Sequence, residues 1–507
     1  MASSAFKTYT QEYGGRVSIL ILLFLLALYQ FYSIGFSAFV AVCFIPVYIL
    51  LIIVSFKYRM FLFGILFIYN YFVQFAIIPH PPLPMSLPNE LLEISLLIIA
   101  LIDIKESHFE RTGNLMLLAL SIWCGFCTLE VLNDTCGLGI NIAAWYAGAR
   151  ILAFQFLYIF LIFCIYISTP QHLTKYLLIW GCLALFSVFW VWKQQNIGLT
   201  PDEANWLYNG GGRRTHLLQA GTLIRYWSTF SDAANFGIAM ASTGVAYVIF
   251  GITARIKRLK YFFLIVGGAC IWGMFPSGTR TATACLIAGF MAYIFLSKSF
   301  KIAVPFTILF ALFAFILIFT NIGNGNQQIR RMRTAFNKND ASANVRTMNQ
   351  QVMKKYMKDA PWGIGVGIGM DNVPANNKYR LMSTIPPDSE YVYIWLHSGI
   401  IGITIFLIIT AMILGGACRI VVFTLKSPSL RGIGAGICCA FVSQQLGGYG
   451  NQVLFQFPNG LVFYGAISVV YILPFIEPAW IEWESKELAI QEEKKRLKLE
   501  KKRASRV

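Results

Sequence analysis

The sequence predicts an all-α fold: a polytopic transmembrane helical bundle of about 12–14 spans, with a large extracytoplasmic loop that contains short helices. Three observations carry this prediction. The chain is 57% hydrophobic and 13% charged, whereas a soluble domain carries about 25% charged residues. Apolar runs near the roughly 20-residue length of a membrane-spanning helix recur along almost the whole chain. One long polar segment, 321–390, separates two of these runs.

Fourteen apolar runs are candidate spans, and together they define one membrane domain over 17–475. The runs cover 17–33, 36–55, 61–78, 89–104, 114–132, 148–168, 174–192, 234–252, 261–276, 281–297, 302–320, 391–414, 431–447 and 453–475. The runs at 89–104 and 261–276 are short, and each is either a tilted span or a re-entrant piece.

Lysines and arginines predict the orientation, because cytoplasmic loops carry an excess of both. With the N-terminal segment 1–16 in the cytoplasm, every short inside loop carries a positive charge. The basic tail 476–507 is then also cytoplasmic, and 193–233 and 321–390 become extracytoplasmic loops. The tail is either a surface helix attracted to anionic lipid or a solvated extension. The net charge of +18 indicates orientation and contact with membrane lipids rather than nucleic-acid binding.

The loop 321–390 has too much apolar periodicity to be a plain linker. Around Arg346, apolar residues recur at helical spacing while lysines fall mostly on the other face. This pattern predicts a short helix that lies on a membrane-facing surface and closes over a site. The alternating glycines of 363–369 predict a tight extended turn, and the tripeptide Asp388-Ser389-Glu390 follows before the next span.

Arginines collect on the predicted outer face, against the positive-inside tendency. They are Arg213, Arg214, Arg225, Arg280, Arg330, Arg331, Arg333 and Arg346. A single one could be a snorkelling anchor at a helix end. Arg280, however, lies among small residues at the mouth of a span, where an ionisable group indicates function. Several guanidinium groups on one face predict a polyanionic ligand such as a pyrophosphate, and a helix start at Thr279–Arg280 would favour it further.

The aromatic and titratable residues on this face leave alternatives open. Trp362, beside the glycine run, is either an interface anchor or a platform that stacks on a sugar ring. His216 is either a solvated loop histidine or a catalytic group. The pair Cys124 and Cys127 lies within an apolar run without a second pair, so we predict no metal or redox centre there.

Four stretches together resemble the O-antigen ligase and O-antigen polymerase superfamily of polytopic GT-C-class glycosyltransferases. RYWSTFSDAANFG (225–237) is similar to the family's arginine, phenylalanine, asparagine and glycine that lead into a span, and PSGTRTA to its Ser-x-x-Arg helix opening. ANVRTMNQQVMKKYMKDAPWGIGVGIG resembles the loop arginine, amphipathic helix and Pro-x-x-Gly-x-Gly turn. DSEYVYIWLHSGIIGI resembles the closing motif, with Tyr391 and Gly399 at the family's spacing. Asp388 and Ser389 stand where ligases carry histidine and asparagine.

The resemblance implies an inverting transfer at the outer face of the bacterial inner membrane by a multi-pass protein. The loop charges predict that both of its termini are cytoplasmic. The implied donor is a glycan linked to a polyprenyl pyrophosphate such as undecaprenyl pyrophosphate. The implied acceptor is a glycan or a lipid A-core sugar, in lipopolysaccharide or other surface-polysaccharide biosynthesis. No metal, nucleotide sugar or other cofactor takes part. The residues assigned to the donor pyrophosphate are Arg225, Arg280, Arg346 and Arg214. Sugar or acceptor contacts are assigned to Tyr391, Trp362, Asn235 and His216.

Asp388 is the predicted catalytic group nearest the acceptor hydroxyl, with Glu390 as its substitute. It either takes up the proton, orients the hydroxyl, or merely caps the following helix. Whether the protein is a ligase or a polymerase stays open. The alternative class is a lipid-linked oligosaccharide flippase or polysaccharide exporter. A transporter typically has broken helices and polar groups near the bilayer midplane, whereas here most polar chemistry lies in the outside loops.

Overall fold

A computed structural model describes residues 58–75, 86–105, 107–218, 223–297 and 341–504, with isolated positions between 18 and 55 and between 304 and 325. The predicted segment 1–16 and the loop arginines Arg330, Arg331 and Arg333 lie outside these residues. For Arg214 and Arg346, the structure gives the helical backbone but not the side chain.

The described residues confirm the all-α fold. The helices are α1 Arg59–Phe72, α2 Ser86–Ile102, α3 Leu115–Leu129, α4 Ile142–Ala149, α5 Gln155–Tyr166, α6 Pro170–Asn196, α7 Pro201–Tyr208, α8 Arg213–His216, α9 Ala233–Thr253, α10 Lys257–Gly273, α11 Arg280–Leu296, α12 Ala341–Met357, α13 Arg380–Thr384, α14 Glu390–Arg419, α15 Pro428–Gly450 and α16 Gly465–Ala504. Short 3₁₀ segments lie at Phe109–Thr112, Glu130–Leu132, Phe275–Ser277 and Met370–Asn372, and π segments at Arg150–Phe154, Ile420–Thr424 and Gly460–Tyr464. Two short strands, β1 Leu217–Leu218 and β2 Leu223–Ile224, pair antiparallel.

Within the described part of the chain, seven helical stretches are long and apolar enough to cross a membrane. They are Leu115–Leu132, Ile142–Tyr166, Pro170–Asn196, Ala233–Thr253, Lys257–Ser277, Glu390–Thr424 and Gly460–Leu497. Two shorter apolar helices, Met60–Phe72 and Arg280–Leu296, accompany them. The total number of crossings stays a prediction, because much of 17–55 and 302–320 lies outside the described residues.

Helix α9 lies at the centre of the bundle, with almost every side chain buried. Small residues allow its neighbours to approach closely, as is usual between helices in membranes. Gly436 of α15 packs against the ring of Phe250, and Gly251 of α9 packs against Leu264 of α10. The motif RYWSTFSDAANFG leads into this central helix and therefore lies at one end of the bundle.

Helix α14 is broken at Gly399, where the backbone leaves the helical region with φ of 65°. The predicted glycine turn fills the break: the amides of Ile364 and Gly365 donate to the carbonyls of Leu396 (2.9 Å) and His397 (3.1 Å). The turn therefore satisfies carbonyls that the broken helix leaves unpaired. A Cβ at Gly399 would lie 1.9 Å from the Pro361 carbonyl oxygen, so only glycine fits there.

We predict that Gly399→Ala strongly destabilises the protein. The backbone of Gly399, with φ of 65° and ψ of −168°, lies in a region that essentially only glycine adopts. This conformation costs an L-residue about 1–3 kcal/mol, and the clash with Pro361 adds to this cost. Gly415→Ala is the matched control, because Gly415 lies in the same helix with open space around its Cα. Thermal unfolding in detergent measures both. Equal melting temperatures for the two variants would contradict the proposed fit at the break.

The C-terminal helix α16 runs without interruption from the last span into the predicted tail, so the predicted boundary at 475 falls inside one helix. Beyond that boundary the helix still packs on the bundle. Glu477 accepts the amides of Lys426 (2.7 Å) and Ser427 (2.6 Å). Trp480 donates its indole N–H to the Ser429 hydroxyl (3.3 Å).

Candidate functional site

Three helices that carry predicted site residues begin at the same end of the bundle, which we call the site end. The hydroxyl of Thr279, before α11, donates to the carbonyl of Ala233, the first residue of α9 (2.9 Å). The C-terminal end of α15 lies beside the start of α14: Ser389, before α14, donates to the Gly448 carbonyl (3.2 Å). The Asp232 carboxylate already caps the start of α9, whereas the N-cap residue of α11 makes no side-chain capping bond. Because a helix N-terminus carries partial positive charge, the start of α11 favours an anion.

Arg225 holds two of the predicted motifs together. Its guanidinium donates to the carbonyls of Ser277 (3.2 Å) and Thr215 (3.0 Å) and to the Thr279 hydroxyl (2.9 Å). The side chain is half-buried. These bonds fix a positive charge against the turn that leads into α11, directly before Arg280.

Arg280 is the first residue of α11 and is half-buried at the site end. Thr279 is the N-cap residue of α11, but its side chain makes no capping bond to the helix. Its hydroxyl instead donates to the Ala233 carbonyl. The turn before it is held by Ser277, whose hydroxyl donates to the Met274 carbonyl (2.6 Å) and accepts the Thr279 amide (3.2 Å). The structure thus brings Arg225 and Arg280 together through one rigid turn.

Asp388 is exposed and lies two residues before α14 begins. The N-cap position of this helix is Ser389, one residue after Asp388. Tyr391, half-buried in the first turn, donates its hydroxyl to the carbonyl and the side-chain oxygen of Gln445 (3.1 and 3.0 Å). An exposed carboxylate beside a fixed tyrosine therefore marks the start of α14.

Glu390 points away from Asp388 into the protein. It is only 3% exposed, and its carboxylate accepts the amide of Leu454 (2.9 Å). Because the carboxylate is buried and already bonds to the Leu454 amide, the structure does not place Glu390 where an acceptor sugar would reach it. The prediction that Glu390 replaces Asp388 in catalysis therefore has no support in this geometry.

Asn235 and His216 both lie at the site end, but their polar atoms bond to the protein. Asn235 is buried and donates to the Phe457 carbonyl and the Ser231 hydroxyl, both at 2.9 Å. His216 is 2% exposed, and its Nε2 accepts the amide of Ala233 (3.0 Å). Sugar contact, which we predicted for both residues, does not fit these positions.

Burial and, to a smaller extent, the charge of Arg225 lower the pKa of His216 to about 3. The ring therefore stays neutral and packs between Trp206 and Trp227. If this segment opened, the pKa of His216 would return to about 6.5, so the open state binds more protons than the packed state below that pH. The neutral ring therefore contributes its full stabilisation of the packed state above pH 6.5. As the pH falls from 6.5 toward 3, the packed state loses up to about 1.4 kcal/mol of stability per pH unit relative to the open state.

We predict that the segment around His216 opens as the pH falls from 7 to 4.5. Fluorescence of Trp206 and Trp227 and proteolysis between residues 208 and 233 report the opening. His216→Asn is the matched control, because asparagine can accept a hydrogen bond but does not titrate in this range. The same acid-induced opening in His216→Asn would show that another group is responsible.

Trp362 lies with α3 and the glycine turn rather than with Arg225 and Arg280. Its ring is 47% exposed and stacks at 6.1 Å on Phe126, while its carbonyl accepts the Asn133 side chain (2.8 Å). The break at Gly399, which the glycine turn fills, lies about 12–14 Å along α14 from the start of the helix, at the helical rise per residue.

The segment 451–459, which we call the bridging loop, is the part of the site end that sequence reasoning missed. We predicted that a span begins at 453, but the helical structure resumes only at Gly460. Asn451 donates to the Thr281 hydroxyl of α11 (3.1 Å), and Gln456 accepts the Ser231 hydroxyl beside α9 (2.7 Å). The polar residues of NQVLFQFPN, spaced through an apolar run, were the available signal.

Comparison with known families bears on the class of protein to which this site belongs. Residues 268–407 match the O-antigen ligase family model. This match confirms the predicted resemblance and supports an O-antigen ligase/polymerase-like membrane glycosyltransferase. A search of curated proteins found no matching sequence.

The segment that matches the O-antigen ligase family model contains Arg280, Arg346, Asp388 and Tyr391. Arg225 lies outside it and is joined to it by its bonds to Ser277 and Thr279. The bridging loop also lies outside it. Among the described residues, no group of three or more His, Cys, Asp or Glu side chains is placed to hold a metal ion.

Proposed function

We propose that the protein is an inverting glycosyltransferase that moves a glycan from a polyprenyl-pyrophosphate donor to an acceptor sugar hydroxyl. One observation carries the proposal. Arg225 and the turn before Arg280 form a single hydrogen-bonded unit at the end where α9, α11 and α14 begin. That unit meets the O-antigen ligase segment and presents fixed positive charge, which suits a pyrophosphate leaving group.

Arg225 and Arg280 hold the donor pyrophosphate, and Arg346 and Arg214 complete its binding from α12 and α8. Each hydrogen bond from a guanidinium to a phosphate oxygen contributes about 1.5–3 kcal/mol. The contribution is larger in the transition state, because negative charge grows on the leaving pyrophosphate. The start of α11, whose N-cap residue makes no side-chain capping bond, adds its dipole to this stabilisation.

The acceptor hydroxyl attacks the anomeric carbon from the face opposite the pyrophosphate. A glycosidic C–O bond forms as the C–O bond to the pyrophosphate breaks, and the configuration inverts. Asp388, exposed at the start of α14, accepts the hydroxyl proton or its hydrogen bond. Tyr391 and Trp362 contact the sugars. The proposal uses no nucleotide sugar, metal or other cofactor.

The protein is a multi-pass membrane protein by its apolar helices and its family match. We place it in the bacterial inner membrane with both termini in the cytoplasm and the site end at the outer face. The charge asymmetry of the loops supports this orientation. Polyprenyl-linked donor and glycan or lipid A-core acceptor would then meet outside the cytoplasm.

The broken helix α14 is the one observation that favours a transporter, since discontinuous helices are common in transporter sites. In transporters the unwound backbone faces substrate or ions. Here the amides of Ile364 and Gly365 already bond the carbonyls of Leu396 and His397. The break therefore anchors the glycine turn of the segment that precedes α14 rather than a substrate. The transferase is for this reason the better-supported function.

The surface glycan profile of a deletion strain tests the proposal and separates its two forms. Loss of the polysaccharide ladder with a single repeat retained on lipid A identifies a polymerase. Loss of all polymeric glycan from lipid A, with lipid-linked polymer retained, identifies a ligase. Complementation with the unaltered chain is the control. An unchanged profile for every surface glycan would contradict both forms.

A further inference from the structure

The first residue of α14 carries a buried carboxylate that backbone amides surround. Glu390 accepts the amide of Leu454 at 2.9 Å, and the amides of Val453 and Phe455 also face its carboxylate. Carboxylate oxygens accept hydrogen bonds, so this side chain matches a run of consecutive backbone amides. Glu390 thereby fixes the bridging loop to the helix start that presents Asp388.

The other half of the bridging loop is fixed to the start of α9. Gln456 accepts the Ser231 hydroxyl (2.7 Å), and the Phe457 carbonyl accepts the side chain of Asn235 (2.9 Å). Asn459 donates to the same Asn235 side chain. The loop therefore spans from the helix that begins at Glu390 to the helix whose first residue bonds Thr279.

The beginning of the loop is fixed to α11, one residue after Arg280. Asn451 donates to the Thr281 hydroxyl at 3.1 Å. Gly450 lies so close that a Cβ there would be 2.9 Å from the same hydroxyl oxygen. With the bond between Thr279 and Ala233, the starts of α9, α11 and α14 and the loop form a closed ring of contacts.

We propose that Glu390 and the bridging loop are positioning elements of the transferase: they set the separation between the arginines that hold the donor and the carboxylate that faces the acceptor. This inference rests on the function proposed above. Glu390 acts through Asp388 and Arg280 rather than on the substrate, because its carboxylate is buried and bonded. A misplacement of reacting groups by about 1 Å can lower a rate about 10²-fold.

The test compares Glu390→Gln with Glu477→Gln in purified protein supplied with a lipid-linked donor and an acceptor. Glutamine must turn an N–H₂ group toward one of the amides that now face Glu390. We expect kcat to fall between about 10-fold and 10²-fold while the KM for the donor changes little, since binding is not what the loop sets.

Glu477→Gln is the matched control because Glu477 is also buried and also accepts backbone amides, those of Lys426 and Ser427, outside the site end. Its kcat per folded molecule is expected to stay near that of the unaltered protein. Thermal unfolding of both variants shows whether a fall in kcat follows lost stability. A fall of equal size in both variants would reduce Glu390 to a structural role and overturn the inference.

Gln456→Ala is the second variant, and it decides the question if Glu390→Gln does not fold. It removes the bond to Ser231 without leaving a buried charge, and a similar fall in kcat is expected. Two variants that break one ring should combine to less than the product of their separate effects. Unaltered kcat in these variants would overturn this inference but not the proposed function, provided that Arg280→Lys lowers kcat/KM about 10²-fold. Absence of transfer by the unaltered protein overturns the proposed function as well.

Discussion

Arg280→Lys is expected to lower kcat/KM for glycan transfer about 10²-fold, although the positive charge is retained. Arginine holds a phosphate through two parallel N–H bonds, whereas lysine offers a single point charge. The loss corresponds to about 2.7 kcal/mol of transition-state stabilisation. The assay is transfer by purified protein from a polyprenyl-pyrophosphate donor.

Arg150→Lys is the matched control for this substitution. Arg150 also lies in a membrane helix and pairs with Glu90 at 3.0 Å, an ion pair that a lysine can keep. The activity of Arg150→Lys should remain within about twofold of that of the unaltered protein, as expected for an arginine that serves as an anchor and ion-pair partner. Full activity in Arg280→Lys at normal expression would show that Arg280 is an anchor as well.

Asp388→Asn is expected to lower kcat by about 10²-fold or more, because asparagine has the shape of aspartate but cannot take up a proton. The KM for the donor should change little, since Asp388 acts on the acceptor. If Asp388 only orients the hydroxyl, the fall will be smaller, because the amide oxygen still accepts a hydrogen bond. Rates measured at saturating donor and acceptor give the size of the fall.

Asp371→Asn is the control for this experiment. Asp371 is an exposed aspartate in the same family segment, within the turn Met370–Asn372. Its replacement should leave transfer unchanged. Full transfer by Asp388→Asn would instead show that neither a proton acceptor nor a negative charge is needed at this position.

Hydropathy predicted the helices well because their burial in lipid depends on local composition. The predicted span 234–252 is the helix Ala233–Thr253, and the predicted span 281–297 is Arg280–Leu296. The break at Gly399 was not predicted, because it lies within an apolar run and depends on the distant glycine turn.

The site was predicted only in part, since its contacts join residues far apart in the chain. The motifs identified Arg225 and Arg280, but their connection through Ser277 and Thr279 required the fold. Sequence spacing placed Glu390 beside Asp388. Its inward direction depends on Leu454, 64 residues later in the chain. His216 was predicted as a loop histidine, and the two tryptophans that bury it come from separate segments.

The most direct test of the central claim uses the purified protein in liposomes with a polyprenyl-pyrophosphate-linked glycan. If the protein transfers the glycan to an acceptor, one molecule of free polyprenyl pyrophosphate should appear for each new glycosidic bond. The anomeric carbon of the transferred sugar should have inverted configuration. Movement of the intact lipid-linked glycan across the bilayer, with no pyrophosphate released, would contradict the transferase and identify a transporter.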